Sequence, residues 1–248
     1  MNKGARRTNS LISVKNVFKN YKSRKALKDI SFEVMEGEVL GIIGPNGAGK
    51  TTLISLLATI NKPEAGKISI RGADILKSPD SIRKQLGYVP QETALYPMLT
   101  ANENLDFWGG IYGLEKSLKK EKIDRVLKLL KLDERKNDKV KTFSGGMKKR
   151  LNIAASLLHD PEILIMDEPT AGVDLLSRAT IAELIQSLKK AGHTIIIASH
   201  HIDELEVLCD KVLVLREGSL LYSGPVKDIL KAAGTDNLEQ LMLRLEED

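Results

Sequence analysis

The sequence predicts an α/β fold with a mostly parallel sheet, and three short apolar segments support that prediction. Val39–Ile43, Ile163–Met166 and Thr194–Ile197 each have the length and composition of a buried strand. The first two are followed by a polar stretch and then by apolar residues at helical spacing. Strands that alternate with helices form parallel sheets, whose strands are buried on both faces. A chain of 248 residues is long enough for one large domain of this kind or for two small ones.

Three further segments predict a smaller antiparallel sheet near the start of the chain. Ile30–Val34 alternates apolar and polar residues, which is the period of a half-buried strand. Leu11–Val17 precedes it, and Lys67–Arg71 follows the first predicted helix. Tyr21 lies between the first two of these strands, and from its spacing alone we expect it to cover a sheet edge.

The stretch between the first apolar strand and its helix has the clearest chemistry. Gly44–Thr51 fits the pattern G-x-x-x-x-G-K-[ST] of a nucleotide-phosphate loop, and its flanking strand and helix argue against an accidental glycine-rich turn. Its glycines let backbone N–H groups turn inward around a polyphosphate, at the positive end of a helix dipole. We expect Lys50 at the β- and γ-phosphates and the Thr51 hydroxyl on Mg²⁺. The predicted binding residues of this loop are Gly44, Pro45, Asn46, Gly47, Ala48, Gly49, Lys50, Thr51 and Thr52.

Polar residues follow the two other apolar strands. Asp167 and Glu168 end one strand, where a phosphate-loop enzyme needs a carboxylate for Mg²⁺ and a group that polarises the attacking water. An ordinary strand-to-loop transition is the alternative. His200 follows the other strand, at the edge that faces the ligand crevice in open α/β sheets. The remaining histidines, His159, His193 and His201, are expected at the surface.

The middle of the chain is predicted to be helical. Thr100–Glu103 forms a capping box, and the apolar positions after it fall on one helical face, with Phe107 and Trp108 expected in the core. Ser144–Gly146 begins another helix, whose unpaired N–H groups are a weak indication of an anion site. Lys148–Arg150 lies on the side of that helix opposite its apolar stripe.

The last part of the chain predicts a hairpin and two short helices. Lys211–Leu215 and Ser219–Tyr222 are the hairpin strands, joined at Glu217-Gly218. The second helix begins at a capping box, Asp236–Glu239. About thirty residues follow the last hairpin strand, which predicts no regulatory domain of normal size there.

Composition limits the classes of function. No uncharged apolar run approaches the roughly 18 residues that span a bilayer, so we expect no membrane-crossing segment. The basic start, Met1–Arg7, is not followed by an apolar h-region, so no secretory signal is predicted. The single cysteine, Cys209, cannot form an internal disulfide, which fits a reducing compartment. The net charge is +5, but Lys and Arg are spread along the chain, so no nucleic-acid partner is expected.

The motifs occur in one order along the chain, and that order closely resembles the ATP-binding cassette of ABC transporters. The set is the phosphate loop, Gln91, Ser144-Gly145-Gly146, Asp167-Glu168, Asp174 and His200. The likeness extends from about Leu11 to Leu245. Its most specific element is the Ser-Gly-Gly signature, which precedes Asp167 by 23 residues (167 − 144) and is absent from other phosphate-loop families.

The resemblance implies a detailed architecture. Residues 1–248 would form one cassette, with a phosphate-loop (RecA-like), mostly parallel α/β core and an antiparallel β subdomain in 11–90 and 160–248. Residues 91–159 would form an inserted α-helical subdomain that includes the signature.

The resemblance also implies roles for site residues that spacing does not give. Tyr21 would stack on the adenine ring, in place of covering a sheet edge. Gln91 would sense Mg²⁺ and the γ-phosphate, and Glu168 would be the general base. Asp174 would join the two sites of a dimer. The implied catalytic residues are Glu168, His200, Lys50 and Gln91; the metal site is Thr51, Gln91 and Asp167; and Ser144, Gly145 and Gly146 would bind the γ-phosphate held by a second subunit.

The resemblance implies two partners: a second cassette, in a homodimer or heterodimer, and a separate integral membrane permease. The protein would lie peripherally on the cytoplasmic face of the cell membrane. The stretches Tyr88–Gln91 and Ile111–Leu114 look most like two-component exporters of drugs, sodium ions or lipids and glycans. Helices after Gln91 would pass motion to the permease. The candidate contact residues are Glu92, Leu95, Tyr96 and Pro97.

Two other classes remain as alternatives. A soluble cassette of DNA repair would insert long coiled coils between Gln91 and Ser144, where this chain has a gap of only 53 residues (144 − 91). Translation-type members usually carry two cassettes in one chain, whereas this chain has one set of motifs. A phosphate-loop kinase offers no reason for the signature. Two departures from the family pattern are visible. The stretch after the last hairpin strand is shorter than in many drug-exporter cassettes, and Phe143 and Met147 flank the signature in place of leucine and glutamine. Met147 cannot make the hydrogen bonds of that glutamine, which predicts weaker signature–nucleotide coupling with catalysis preserved.

Overall fold

Two sheets form the frame of the molecule in the computed structural model, which describes residues 10–22 and 24–247. The predicted basic start, Met1–Arg7, lies outside the described residues. The strands are β1 Ile12–Tyr21, β2 Arg24–Val34, β3 Val39–Ile43, β4 Ala65–Ile70, β5 Ala73–Asp74, β6 Leu86–Val89, β7 Ile163–Asp167, β8 Thr194–Ala198, β9 Lys211–Arg216 and β10 Ser219–Gly224. The helices are α1 Lys50–Leu57, α2 Pro79–Arg83, α3 Ala101–Ile111, α4 Lys116–Leu129, α5 Gly145–Leu157, α6 Leu175–Lys190, α7 Ile202–Leu208, α8 Val226–Ala233 and α9 Leu238–Glu247. Single turns of 3₁₀ helix lie at Asp133–Arg135 and Val140–Thr142.

The larger sheet has the strand order β10-β9-β3-β8-β7-β6. All its neighbouring strands are parallel except β9 and β10, which form the predicted antiparallel hairpin. The three apolar segments are β3, β7 and β8, and every residue in them is buried. The α/β prediction is therefore confirmed. Because parallel strands share one carboxyl edge, β3, β6, β7 and β8 all end on the same side of the sheet.

The smaller sheet has the order β2-β1-β4-β5, and its pairs are antiparallel. The prediction of a small antiparallel sheet is confirmed. Strand β1 continues beyond Val17 to Tyr21, so Tyr21 is the last residue of a strand.

Alternating residues of the central strands enter two different cores. In β7, Ile163 and Ile165 pack with α1 and the antiparallel sheet, whereas Leu164 and Met166 pack with α5 and α6. Full burial of such a side chain stabilises the fold by about 1.5–3 kcal/mol, so each strand is fixed from both faces. A strand held in this way has a fixed register, which places its last residue reproducibly at the sheet edge.

Long-range packing decides the burial of several single residues. Lys149 and Arg150 lie opposite the apolar stripe of α5, yet both are buried. The expectations for Phe107 and His159 were wrong. Phe107 is 39% exposed and not in the core, whereas Trp108 is half-buried and packs against it. His159 is half-buried, with its ring stacked 4.0 Å from that of Tyr112.

The predicted helix caps are partly correct. Thr100 and Glu103 form both hydrogen bonds of the capping box. At α9 the box is displaced by one residue: the Asn237 side chain accepts from the Gln240 N–H at 2.9 Å.

Among the described helices, none combines the length and hydropathy that a bilayer crossing requires.

A buried asparagine holds the loop between β6 and α3. Asn104 is 0% exposed, and its Oδ1 accepts a hydrogen bond from the Tyr96 N–H at 2.7 Å. Its Nδ2 donates to the Tyr96 carbonyl at 3.0 Å and to the Thr100 carbonyl at 2.9 Å. Buried polar groups of this kind are costly to leave unpaired. Asn104 therefore fixes the conformation of the loop that contains Tyr96.

We expect Asn104→Ala to lower the free energy of unfolding by roughly 2 kcal/mol, because it strands the Tyr96 N–H and carbonyl and leaves a cavity. Urea denaturation of both proteins measures this difference. Asn102→Ala in the same turn is the matched control, since that half-buried residue is outside this network. Equal loss in both variants would contradict the anchoring role.

Candidate functional site

The phosphate loop joins β3 to α1 and is shaped by its glycines. Gly49 is the N-cap of α1 with φ +109°, a conformation that residues with a Cβ rarely adopt. A Cβ at Gly44 would lie 2.2 Å from the Leu215 carbonyl oxygen, so only glycine lets β9 approach this closely. The loop thus presents backbone to a ligand at a helix N-terminus, which is suited to an anion.

Lys50 is the first residue of α1, and its ammonium lies over the loop. Its Nζ donates to the carbonyl of Gly44 at 2.7 Å and to that of Pro45 at 3.2 Å. Burial lowers the pKa of Lys50, and the nearby carboxylates of Glu168 and Asp167 act in the opposite direction. Anions beside Lys50 therefore stabilise its protonated, charged form.

Asp167 is the last residue of β7 and is almost completely buried. It is 1% exposed, and its Oδ1 has no hydrogen-bond partner in the described part of the chain. Burial is the main cause that raises the pKa of Asp167, with a contribution from Glu168; Thr51, Lys50 and Lys149 act against it. A carboxylate oxygen that is buried and has no hydrogen-bond partner is suited to bind a metal ion or a metal-bound water.

Glu168 turns the chain out of the sheet. Its φ is +52°, and its N–H donates to the Ala198 carbonyl at 2.8 Å. Its Oε2 accepts from the His200 N–H at 3.3 Å and lies 2.7 Å from His200 Nδ1. Glu168 and His200, which come from neighbouring strands, thus form a hydrogen-bonded pair at the sheet edge.

A cavity of about 320 Å³ joins the phosphate loop to Gln91 and Glu168, and a neighbouring cavity is lined by Gln91, Glu168 and His200. The lining residues of the first cavity are Tyr21, Arg24, Ala26, Asn46, Gly47, Gly49, Lys50, Thr51, Thr52, Gln91 and Glu168. Tyr21 is 45% exposed, and its hydroxyl accepts from Asn61 at 3.2 Å. An aromatic ring beside a phosphate loop fits a nucleotide, whose base stacks while its phosphates are bound.

Arg24 was missed by sequence reasoning. Its guanidinium donates to the Gly47 carbonyl at 2.9 Å, so it touches the phosphate loop. No local motif marks this arginine, because the contact joins the start of β2 to a loop that follows β3.

A second group of candidate residues lies outside that cavity. Ser144 is the N-cap of α5, and its Oγ accepts from the Met147 N–H at 3.2 Å. Asp174 is the N-cap of α6 and accepts from the N–H and hydroxyl of Ser177, at 2.8 and 2.9 Å. These hydrogen bonds, the backbone one first, lower the pKa of Asp174. In the described chain, neither Ser144–Gly146 nor Asp174 is among the residues that line the cavity beside the phosphate loop.

The two signature residues that differ from the family pattern are accommodated by packing. Phe143 is buried in the core between α4 and α5, with the Arg135 guanidinium 5.9 Å from its ring centre. Met147 is half-buried and packs against the same core. Neither substitution distorts the helix start, where Ser144 still caps α5.

The sequence matches the protein family described as "ABC transporter" over residues 27–171. It is 43% identical to the linearmycin resistance ATP-binding protein LnrL of Bacillus subtilis, over 93% of this chain and 74% of that one. It is 36% identical to the Nod factor export ATP-binding protein I of Ralstonia nicotianae, over 92% of this chain and 72% of that one.

Solved structures agree with this assignment. One, described as the ATP binding subunit of an ABC transporter, superposes with a TM-score of 0.86 at 31% identity, covering 96% of this chain and 100% of that one. Another, the dimeric post-hydrolysis state of the ATP-binding cassette MJ0796 bound to ADP and Pi, gives 0.79 at 28% identity, covering 86% and 98%. The chain therefore belongs to the ABC transporter family, and it is one of that family's ATP-hydrolysing cassettes.

Proposed function

We propose that this cassette closes with a second one around two ATP molecules and thereby drives export through a separate membrane permease. The observation that carries the proposal is the separation of the site into two parts. Tyr21, the phosphate loop, Gln91 and Glu168 surround one cavity, whereas Ser144–Gly146 and Asp174 lie elsewhere on the chain. A head-to-tail pair would complete each cavity with the signature of the other subunit.

ATP would be held mainly by backbone groups. The amides of Gly44–Thr52 would surround the phosphates, with the Lys50 ammonium turning from the loop carbonyls to the β- and γ-phosphates. Tyr21 would stack on the adenine ring. A phosphate group brought to Lys50 also offsets the burial of its charge, which supports binding of an anion there.

Mg²⁺ fits the residues at the end of β7. Asp167 and Thr51 offer hard oxygen ligands, and the orphaned Asp167 Oδ1 leaves a coordination position free. Gln91 and Thr51 line one cavity, and Asp167 precedes Glu168, which also lines it. When bound, the ion would neutralise charge that develops on the phosphates.

Glu168 is placed to accept the proton of the attacking water. Its carboxylate lines the cavity, and the hydrogen bond from His200 fixes its orientation. We assign His200 the role of holding the γ-phosphate and water in line.

Export is supported by the relatives' names, which include drug resistance and Nod factor export proteins. The substrate would bind the permease, so this chain does not specify it. Glu92, Leu95, Tyr96 and Pro97 are the proposed permease contacts, and the exposed Tyr96 packs edge-on against Phe107 at 4.8 Å. The protein would then lie peripherally on the cytoplasmic face of the membrane. The segment between Gln91 and Ser144 holds the short helices α3 and α4, which does not favour the coiled-coil architecture of repair cassettes.

We expect Glu168→Gln to bind ATP normally, hydrolyse it at least about tenfold more slowly and accumulate as an ATP-bound dimer. The neutral amide cannot accept the water proton, yet it keeps the shape of the side chain. Turnover assays and size-exclusion chromatography with light scattering measure the two effects. Near-normal turnover would remove Glu168 from the role of base. A strictly monomeric wild-type protein that hydrolyses ATP at full rate would overturn the shared site.

We expect Asp167→Asn to stabilise the nucleotide-free protein by roughly 1 kcal/mol while removing Mg²⁺-dependent stabilisation by ATP. Because its pKa is raised, folded Asp167 binds a proton more tightly than the unfolded chain does. At pH values below the unfolded pKa of Asp167, this residue does not lower the free energy of unfolding. Above that pH the free energy of unfolding falls, and the fall is complete once pH has passed the raised pKa of the folded state. The substitution removes that loss.

Thermal and urea unfolding between pH 4 and 8, with and without ATP and Mg²⁺, measure both effects of Asp167→Asn. Asp228→Asn, at an exposed position in the first turn of α8, is the control: it should leave the Mg²⁺-dependent shift unchanged and should slightly lower stability through the lost interaction with the helix dipole, the opposite of the effect expected for Asp167→Asn. A variant that retained the full Mg²⁺-dependent shift would contradict the metal role.

A further inference from the structure

Lys149 is a buried lysine in the second turn of α5, the helix that begins at the signature. It is 7% exposed, whereas the neighbouring Lys148 is half-buried. Its Nζ donates one hydrogen bond to the Gln91 carbonyl and another, at 3.3 Å, to the Glu168 carbonyl. One ammonium group thus contacts two of the segments that supply proposed catalytic residues, the loop after β6 and the turn after β7.

Asn152 strengthens the same contact one turn later. It is buried, its Oδ1 accepts from the Ala94 N–H at 3.1 Å, and its Nδ2 donates to the Pro90 carbonyl at 3.5 Å. Lys149 and Asn152 therefore hold the loop after β6 against α5. Of these two residues, only Lys149 also reaches Glu168.

The charge of Lys149 is compensated by the site itself. Burial lowers the pKa of Lys149, and the carboxylates of Asp167 and Glu168 act against that effect. A buried ammonium without such partners is strongly destabilising. The hydrogen bond from Lys149 to the Glu168 carbonyl therefore links α5 to the turn at Glu168. If either segment moved away, the buried ammonium of Lys149 would lose a partner.

We propose that Lys149 is a positioning residue that couples the two ATP sites of the cassette dimer. This inference rests on the proposed shared site. The signature at the start of α5 serves the nucleotide of the partner subunit, whereas Gln91 and Glu168 serve the nucleotide of their own chain. Lys149 joins them, so a displacement of α5 during closure shifts Gln91 and Glu168 with it.

Amide hydrogen exchange of the nucleotide-free chain tests the contact directly. In Lys149→Met we expect the Ala94 amide, whose N–H is hydrogen-bonded to Asn152, to exchange at least about tenfold faster than in wild type, because the loop loses one of its anchors. Lys149→Arg should restore slow exchange, and Lys148→Met is the control. Unchanged exchange in Lys149→Met would overturn the inference.

The ATP dependence of hydrolysis tests the coupling. For wild type we expect a Hill coefficient that approaches 2, the number of sites. Lys149→Met should reduce it to about 1, with ATP affinity within about twofold of wild type, and Lys149→Arg should restore cooperativity. A Lys149→Met protein as cooperative as wild type would overturn the inference.

Two controls separate the possible failures. Non-cooperative turnover by a wild-type monomer would overturn the shared site, and with it the coupling role, whatever exchange shows. Should Lys149→Met not fold, Lys149→Gln replaces it, since its shorter neutral amide keeps a donor at the buried position. Wild-type cooperativity and exchange in that variant would show that the ammonium is not required.

Discussion

The burial of the central parallel strands on both faces is the constraint on which the site depends. The side chains of β3 and β8 are entirely apolar or small, and β7 is apolar until its last residue. The polar side chains of the site therefore lie at the carboxyl edge of the sheet and not within these strands. Four strands from separate parts of the chain end there, which is why residues as distant as Lys50, Gln91, Asp167 and His200 become neighbours.

The same arrangement explains how much the sequence could predict. Buried parallel strands are continuous apolar runs, and a phosphate loop has a fixed spacing, so β3, β7, β8 and their terminal residues were recognisable locally. The two-residue hairpin at Glu217-Gly218 and the capping box at Thr100 were equally local. Element type and order followed from these patterns. The strand order did not, because pairing of β3 with β9 depends on contacts far apart in sequence.

The sequence could not predict which long polar side chains are buried or which partners they contact. Lys149 has the same residue type as Lys148, and only the fold decides that one is buried against two carbonyls. His159 lies within the protein because Tyr112, from another helix, stacks on it and the Leu86 carbonyl lies 3.0 Å from its Nε2. Arg24, at the start of β2 in the smaller sheet, reaches the phosphate loop that follows β3 in the larger one. Periodicity reports which face of an element is apolar, and it says nothing about which polar side chain finds a partner.

The contact between the signature and α6 has a consequence for how this protein and its relatives diverge. A Cβ at Gly146 would lie 2.1 Å from Ser177 Oγ and 2.5 Å from Asp174 Oδ2. The Ser177 Cβ would also lie 2.6 Å away, so truncation of Ser177 to alanine would relieve neither that contact nor the one with Asp174. Position 146 should therefore remain glycine wherever Asp174 caps α6. A mutagenesis library aimed at the cassette dimer should leave Gly146 fixed and vary the exposed positions around it.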